Sequence, residues 1–133
     1  MVFGVIGFVS VSPAIAPSIA IVDDDADVRG SLDSLLRSAM MTPLCFASAE
    51  ELLQSGIEAE LACIVTDLHM PGMTGLELQA EIGRRGWHVP LILVTAHPTD
   101  VVREQAEKGG AVAFLTKPVD PEGLLEAIER SID

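Results

Sequence analysis

From Ser18 onward, short apolar runs alternate with stretches in which apolar residues recur at helical spacing, the pattern of strands joined by amphipathic helices. Ser18–Val22 (SIAIV) reads as the first strand, and Val28, Leu32, Leu35, Leu36 and Met40 mark the inner face of the helix after it. Residues 42–47 read as a second strand. Ser48, followed three residues later by Glu51, is a capping box opening a short helix that stops near Gly56. Residues 62–66, β-branched at Ile64, Val65 and Thr66, suit a strand covered on both faces, closed by Asp67 and followed by the breakers Pro71 and Gly72. A helix from about Thr74 to Arg85 presents Leu78 and Ile82, and Gly86 and Pro90 lead into a fourth strand, Leu91–Thr95. Thr99 caps a fourth helix that stops at Gly109-Gly110, and residues 111–116 form a fifth strand. Asp120-Pro121 then starts a last helix with Leu124, Ile128 and Ile132 inward. Five such units with short connections predict an α/β fold, a doubly wound five-stranded parallel sheet with helices on both faces.

The first 17 residues, MVFGVIGFVSVSPAIAP, carry no charge, and the uncharged stretch continues to Val22, which on length alone raises a membrane span. Pro13 and Pro17 interrupt it, the first strand needs its end, and no basic residue precedes it, although Ala14-Ile15-Ala16 imitates a cleavage site. We therefore expect residues 1–17 to be a poorly ordered extension and one domain to span 18–133. A net charge of −12, from eight Lys+Arg and 20 Asp+Glu, disfavours direct binding to nucleic acid or anionic membrane. One Trp and no Tyr leave no stacking platform for single strands. Cys45 and Cys63 lie in apolar segments without ligand spacing and read as buried thiols in a reducing compartment.

Polar residues gather at the strand ends: Asp23, Asp24 and Asp25 after the first, Asp67 after the third, Thr95 at the fourth and Lys117 after the fifth. In a parallel sheet these project from one edge, where ligands bind. Clustered carboxylates repel and invite a cation; oxygen ligands without imidazole or thiolate favour a hard ion, and Mg²⁺ suits few carboxylates with several retained waters. Asp25 reads as the cap of the next helix and nothing more.

The motifs IVDDD, VTDLHMPGMTG, LILVTAH and FLTKP, in this order and each at a strand end, resemble the four signatures of the response-regulator receiver domain of two-component signalling, in wording closest to the FixJ-like branch. The resemblance covers residues 18–133. It implies the flavodoxin-like (βα)5 fold with strand order 2-1-3-4-5 and a non-enzymatic, cytoplasmic signalling module that takes a phosphoryl group from a sensor histidine kinase. On its pattern Asp67 matches the phosphoacceptor, Asp24 a direct Mg²⁺ ligand, Asp23 a ligand through water and the His69 carbonyl the backbone ligand. Lys117 and Thr95 match the phosphoryl contacts, Thr95 and Phe114 the switch pair, and Lys117-Pro118 a bond usually cis. It further implies switching of the surface of the fourth helix, fifth strand and fifth helix, with phosphorylation-dependent dimerisation or partner docking there. Receivers of this branch often precede a helix-turn-helix output domain through which DNA would be bound, so whether such a domain follows residue 133 stays open. His69 and His97 border the expected site, and His97-Pro98 constrains the start of the fourth helix. The alternative is a phosphohydrolase of the haloacid-dehalogenase type with Asp23 as nucleophile. It leaves Asp67 without a role, and the chain has no cap insertion or late acidic pair.

Overall fold

The computed structural model describes residues 16–132. Five strands and five helices alternate: β1 (Ser18–Val22), α1 (Ala26–Ser38), β2 (Thr42–Phe46), α2 (Ala49–Gln54), β3 (Leu61–Asp67), α3 (Gly75–Arg84), β4 (Leu91–Thr95), α4 (Asp100–Lys108), β5 (Ala113–Thr116) and α5 (Pro121–Ile132). The strands form one parallel sheet in the order β2-β1-β3-β4-β5, the expected doubly wound topology. Because side chains alternate across a strand, Ala20, Val22, Ile64 and Leu93 face one layer. There they pack with Leu52 of α2, Leu78 and Ile82 of α3 and Ala106 of α4. Ile19, Ile21, Cys63, Val65, Ile92 and Val94 face the other, against Leu36 of α1 and Leu124, Ala127 and Ile128 of α5. Covering both faces removes the central strands from water, which is why β3 reads as an unbroken apolar run.

The caps expected at Asp25, Ser48, Thr99 and Asp120 are present, and Thr74 adds one that was not anticipated. The box at Ser48 is half formed, because the Glu51 carboxylate accepts the Ala47 amide at 3.0 Å. Asp25 accepts the Asp27 and Val28 amides, Ser48 that of Glu51, and Thr99 that of Val102, while Thr74 and Glu77 form a full capping box on α3. Asp120 caps α5 through the Gly123 amide at 2.9 Å.

Five expectations are corrected. Met40 is not on the inner face of α1: the helix ends at Ser38, Met40 adopts a positive φ of 64° and is 80 % exposed, and Met41 turns into the core instead. A helix ending in a left-handed residue breaks its own period, so counting by three and four overran the cap. Ile132, in the last turn of α5, is also exposed. Cys45 lies on the edge strand β2 and is exposed, whereas Cys63 is buried. Strand β5 begins at Ala113, with Val112 exposed before it, and β2 ends at Phe46. A turn of 3-10 helix, Glu58–Glu60, precedes β3 and carries no apolar period that would reveal it. The expected extension lies outside the described residues except for Ala16 and Pro17, whose carbonyl accepts the Thr42 amide at 2.8 Å. Among the described residues no helix is long and apolar enough to cross a membrane.

Helix α3 starts directly on the end of β3. A Cβ at Gly75 would stand 2.5 Å from the Asp67 carbonyl oxygen and 2.7 Å from Leu93 Cδ2, so only glycine fits. Gly75→Ala should therefore cost about 1–3 kcal/mol through overpacking, read as a lower urea midpoint at unchanged slope. An unaltered midpoint would mean that α3 can slide off the strand end freely.

Candidate functional site

Register brings the polar residues together. Val22 is paired with Thr66, Asp67 with Val94, and Thr95 with Thr116, so Asp23, Asp67, Thr95 and Lys117 emerge from the same edge of the sheet. The Lys117 ammonium sits between two carboxylates, with Nζ 3.0 Å from Asp23 Oδ2 and 3.4 Å from Asp67 Oδ2. One carboxylate oxygen from each of Asp23, Asp24 and Asp67 lies within 4.8 Å of the others. Asp23 and Asp67 are buried and Asp24 is exposed.

Each member is held by its neighbours. The second oxygen of Asp23 accepts the Asp25 amide at 2.9 Å, and its carbonyl accepts Arg29 Nη1 at 2.7 Å. Thr95 is fully buried; its Oγ1 accepts the His97 amide at 3.0 Å, and its carbonyl accepts the Lys117 amide at 2.8 Å, tying the ends of β4 and β5. The Lys117-Pro118 bond is cis, in line with the resemblance. Phe114, half-buried and paired with Leu93, lies under the Arg103 guanidinium at 4.7 Å from its ring centroid. His69 and His97, both exposed, meet edge to face at 6.1 Å between ring centroids. An open cleft of about 520 Å³ runs beside the site, walled by Val28, Leu32, Pro118 and Val119.

Burial raises the Asp67 pKa above its ordinary value, and the Asp23 charge adds to it; Lys117 and the His69 amide oppose without prevailing. For Lys117, burial pulls the pKa down, but the Asp23 and then the Asp67 carboxylate outweigh it and the net direction is up. Among the described residues, Lys117 is the one cation paired with the Asp23 and Asp67 carboxylates. Such a set fits a divalent hard cation, since every side-chain donor is an oxygen and negative charge is in excess.

The family model for the response regulator receiver domain matches residues 19–129. The chain belongs to that family. As a receiver domain it is 41 % identical over 108 residues to Nodulation protein W of Bradyrhizobium diazoefficiens, covering 81 % of this chain and 48 % of the relative. To the Transcriptional regulatory protein FixJ of Azorhizobium caulinodans it is 39 % identical over 112 residues, covering 84 % of this chain and 53 % of the relative. The crystal structure of FixJ-N superposes with a TM-score of 0.79 at 34 % identity, covering 89 % of this chain and 94 % of that one. The chain spans about half the length of the curated relatives it matches. None of these matches supports the haloacid-dehalogenase alternative.

Sequence reasoning missed three side chains that shape the receiver site: Arg29, Arg103 and Glu50, the last accepting the Met73 amide at 3.1 Å. A signal existed only for Arg29, a cation in the first turn of α1, where the helix dipole disfavours one unless it has a partner.

The raised Asp67 pKa sets a dependence on pH. Between the ordinary carboxyl pKa and the raised native one, the folded protein binds more protons than the unfolded chain. Stability then falls as pH rises through that window and stays lower above it. Asp67→Asn, which cannot ionise, should raise the thermal midpoint at pH 7 without Mg²⁺, and the gain should vanish by about pH 3, where both forms of the wild type are protonated. A gain undiminished at that pH would assign the effect to packing instead of charge.

Proposed function

We propose that this receiver domain, with residues 18–133 as its unit, accepts a phosphoryl group on Asp67 from a sensor histidine kinase in the cytoplasm and modifies only itself. The observation that carries this reading is Lys117 bridging Asp23 and Asp67 beside Asp24, at the edge of the sheet. An Asp67 oxygen attacks phosphorus as the phosphorus–nitrogen bond of a phosphohistidine breaks, and the bonding pair stays on the imidazole nitrogen, which then takes up a proton. The obstacle is charge, since a carboxylate approaches an anionic phosphoryl group. The Lys117 ammonium offsets part of it, and the Thr95 hydroxyl donates to a phosphoryl oxygen once released from the His97 amide. Asp24, Asp67 and the His69 carbonyl would hold Mg²⁺, with Asp23 acting through water, and the ion would neutralise further charge on the phosphoryl oxygens. Exposed His69 and His97 border the approach and bear on loss of the phosphoryl group.

The output follows from the bond between Thr95 and its neighbours. A phosphoryl group on Asp67 adds acceptor oxygens that draw the Thr95 hydroxyl toward them. Phe114, one strand over, then exchanges rotamers into the vacated space, lifting off Arg103 and altering the surface of α4, β5 and α5. That surface would support dimerisation or partner docking. FixJ, of which the match covers 53 %, is named a transcriptional regulatory protein, so a DNA-binding output controlled in this way is the natural reading.

With a small phosphodonor and Mg²⁺, the wild type should gain one phosphoryl group, while Asp67→Asn and Asp24→Ala should gain none by intact mass. Full labelling of Asp67→Asn, or transfer of the label to Asp23, would overturn the assignment. Thr95→Ala should still be phosphorylated on Asp67 yet show little change in NMR shifts on α4 and β5 or in association state. A response as full as that of the wild type would place the coupling elsewhere.

A further inference from the structure

The loop that carries His69 is anchored at both ends by backbone. The Leu68 amide donates to the Val94 carbonyl at 2.8 Å, and the Gly75 amide returns to the Leu68 carbonyl at 2.9 Å. Between these anchors the crown, residues 70–73, is held by the buried Met70 side chain and by one bond from outside, the Met73 amide to Glu50 Oε2 at 3.1 Å. Among the described residues no other side chain hydrogen-bonds to the crown. Glu50, half-buried in the first turn of α2, is remote in sequence, and a second feature converges on the same oxygen. Gly72 has a positive φ of 77°, and a Cβ there would stand 2.8 Å from Glu50 Oε2. The loop is thus shaped so that this carboxylate can reach the Met73 amide.

We propose that Glu50 is a positioning residue for the cation site: by accepting the Met73 amide it fixes the turn through Pro71, Gly72 and Met73, and with it the direction of the His69 carbonyl. The proposal rests on the reading of that carbonyl as a ligand. Without the bond, the crown spreads over several arrangements of which one presents the carbonyl, and apparent affinity falls by the fraction lost. Glu50 touches neither the ion nor the phosphoryl group. Its effect runs through geometry, so reach matters and charge does not.

The test is an NMR titration with MgCl2 alone, without phosphodonor, on the full chain. Glu50→Ala should weaken Mg²⁺ by about three- to tenfold, the effect of one hydrogen bond, and should speed exchange of the Met73 amide. Glu50→Gln keeps an acceptor at the same reach without the charge and should stay within about twofold of wild type. Glu50→Asp keeps the charge but is one methylene short and should behave like Glu50→Ala, which it replaces if that variant does not fold. Unchanged affinity in Glu50→Ala, or loss in Glu50→Gln matching that in Glu50→Ala, overturns the proposal. Wild type that binds Mg²⁺ but is never phosphorylated on Asp67 would overturn the proposed function and leave this inference standing.

Discussion

Three carboxylates with oxygens within 4.8 Å of one another, two of them buried, are an arrangement that repels itself. Lys117 offsets it only in part, because a single ammonium at 3.0 and 3.4 Å from two of them leaves negative charge in excess and the Asp67 pKa still raised. The remaining imbalance is what gives the site its chemistry. A surface with negative charge in excess, only oxygen donors and a place at the open end of a parallel sheet has the chemistry that suits a hard cation, which is what the proposed function requires of it. Stability lost at this edge is recovered by two apolar layers elsewhere in the sheet.

Holding that arrangement is the work of the backbone. Glycine at position 75 lets α3 begin against the Asp67 carbonyl, the Lys117 amide is bonded to the Thr95 carbonyl, and the Asp25 amide fixes the Asp23 carboxylate. Each contact joins residues near in sequence or adjacent in the sheet, so the site is assembled as soon as the strands pair. The loop that leaves β3 is held less densely, and the contact from a remote element, Glu50 to the Met73 amide, acts on it.

This division explains what was legible in the sequence. The parallel sheet with helices on both faces, the convergence of Asp23, Asp24, Asp67, Thr95 and Lys117, and the caps at Asp25, Ser48 and Thr99 follow from periodicity and short-range chemistry, whereas the strand order comes from the resemblance to the receiver family. Where reading failed, local signals were absent or ambiguous. Met40 and Met41 are chemically alike, and only the left-handed turn at the end of α1 decides which enters the core. Cys45 looks as buried as Cys63 until β2 is known to be an edge strand whose outer face is open. Glu50 sits two residues after a cap, where an acidic residue is expected for the helix dipole alone, so nothing marked its second role.

Rigidity at the sheet and looser tethering around it also determine how a local charge can act at a distance. Asp67, Thr95 and Phe114 sit on three consecutive strands in fixed register, so a group added to Asp67 cannot be absorbed by sliding the strands. Side-chain rotation remains, and Thr95 is the residue with freedom to use it. Its hydroxyl is held by one bond to the exposed segment at His97, while its carbonyl stays locked to Lys117. Phe114 is the next movable body, half-buried and held from above by Arg103, whose hold on the ring is worth about 0.5–1 kcal/mol at an exposed position. An interaction of that size biases a rotamer without locking it. On the proposed route, a hold of this size leaves two rotamers of Phe114 close enough in free energy for the few hydrogen bonds of a phosphoryl group to exchange them.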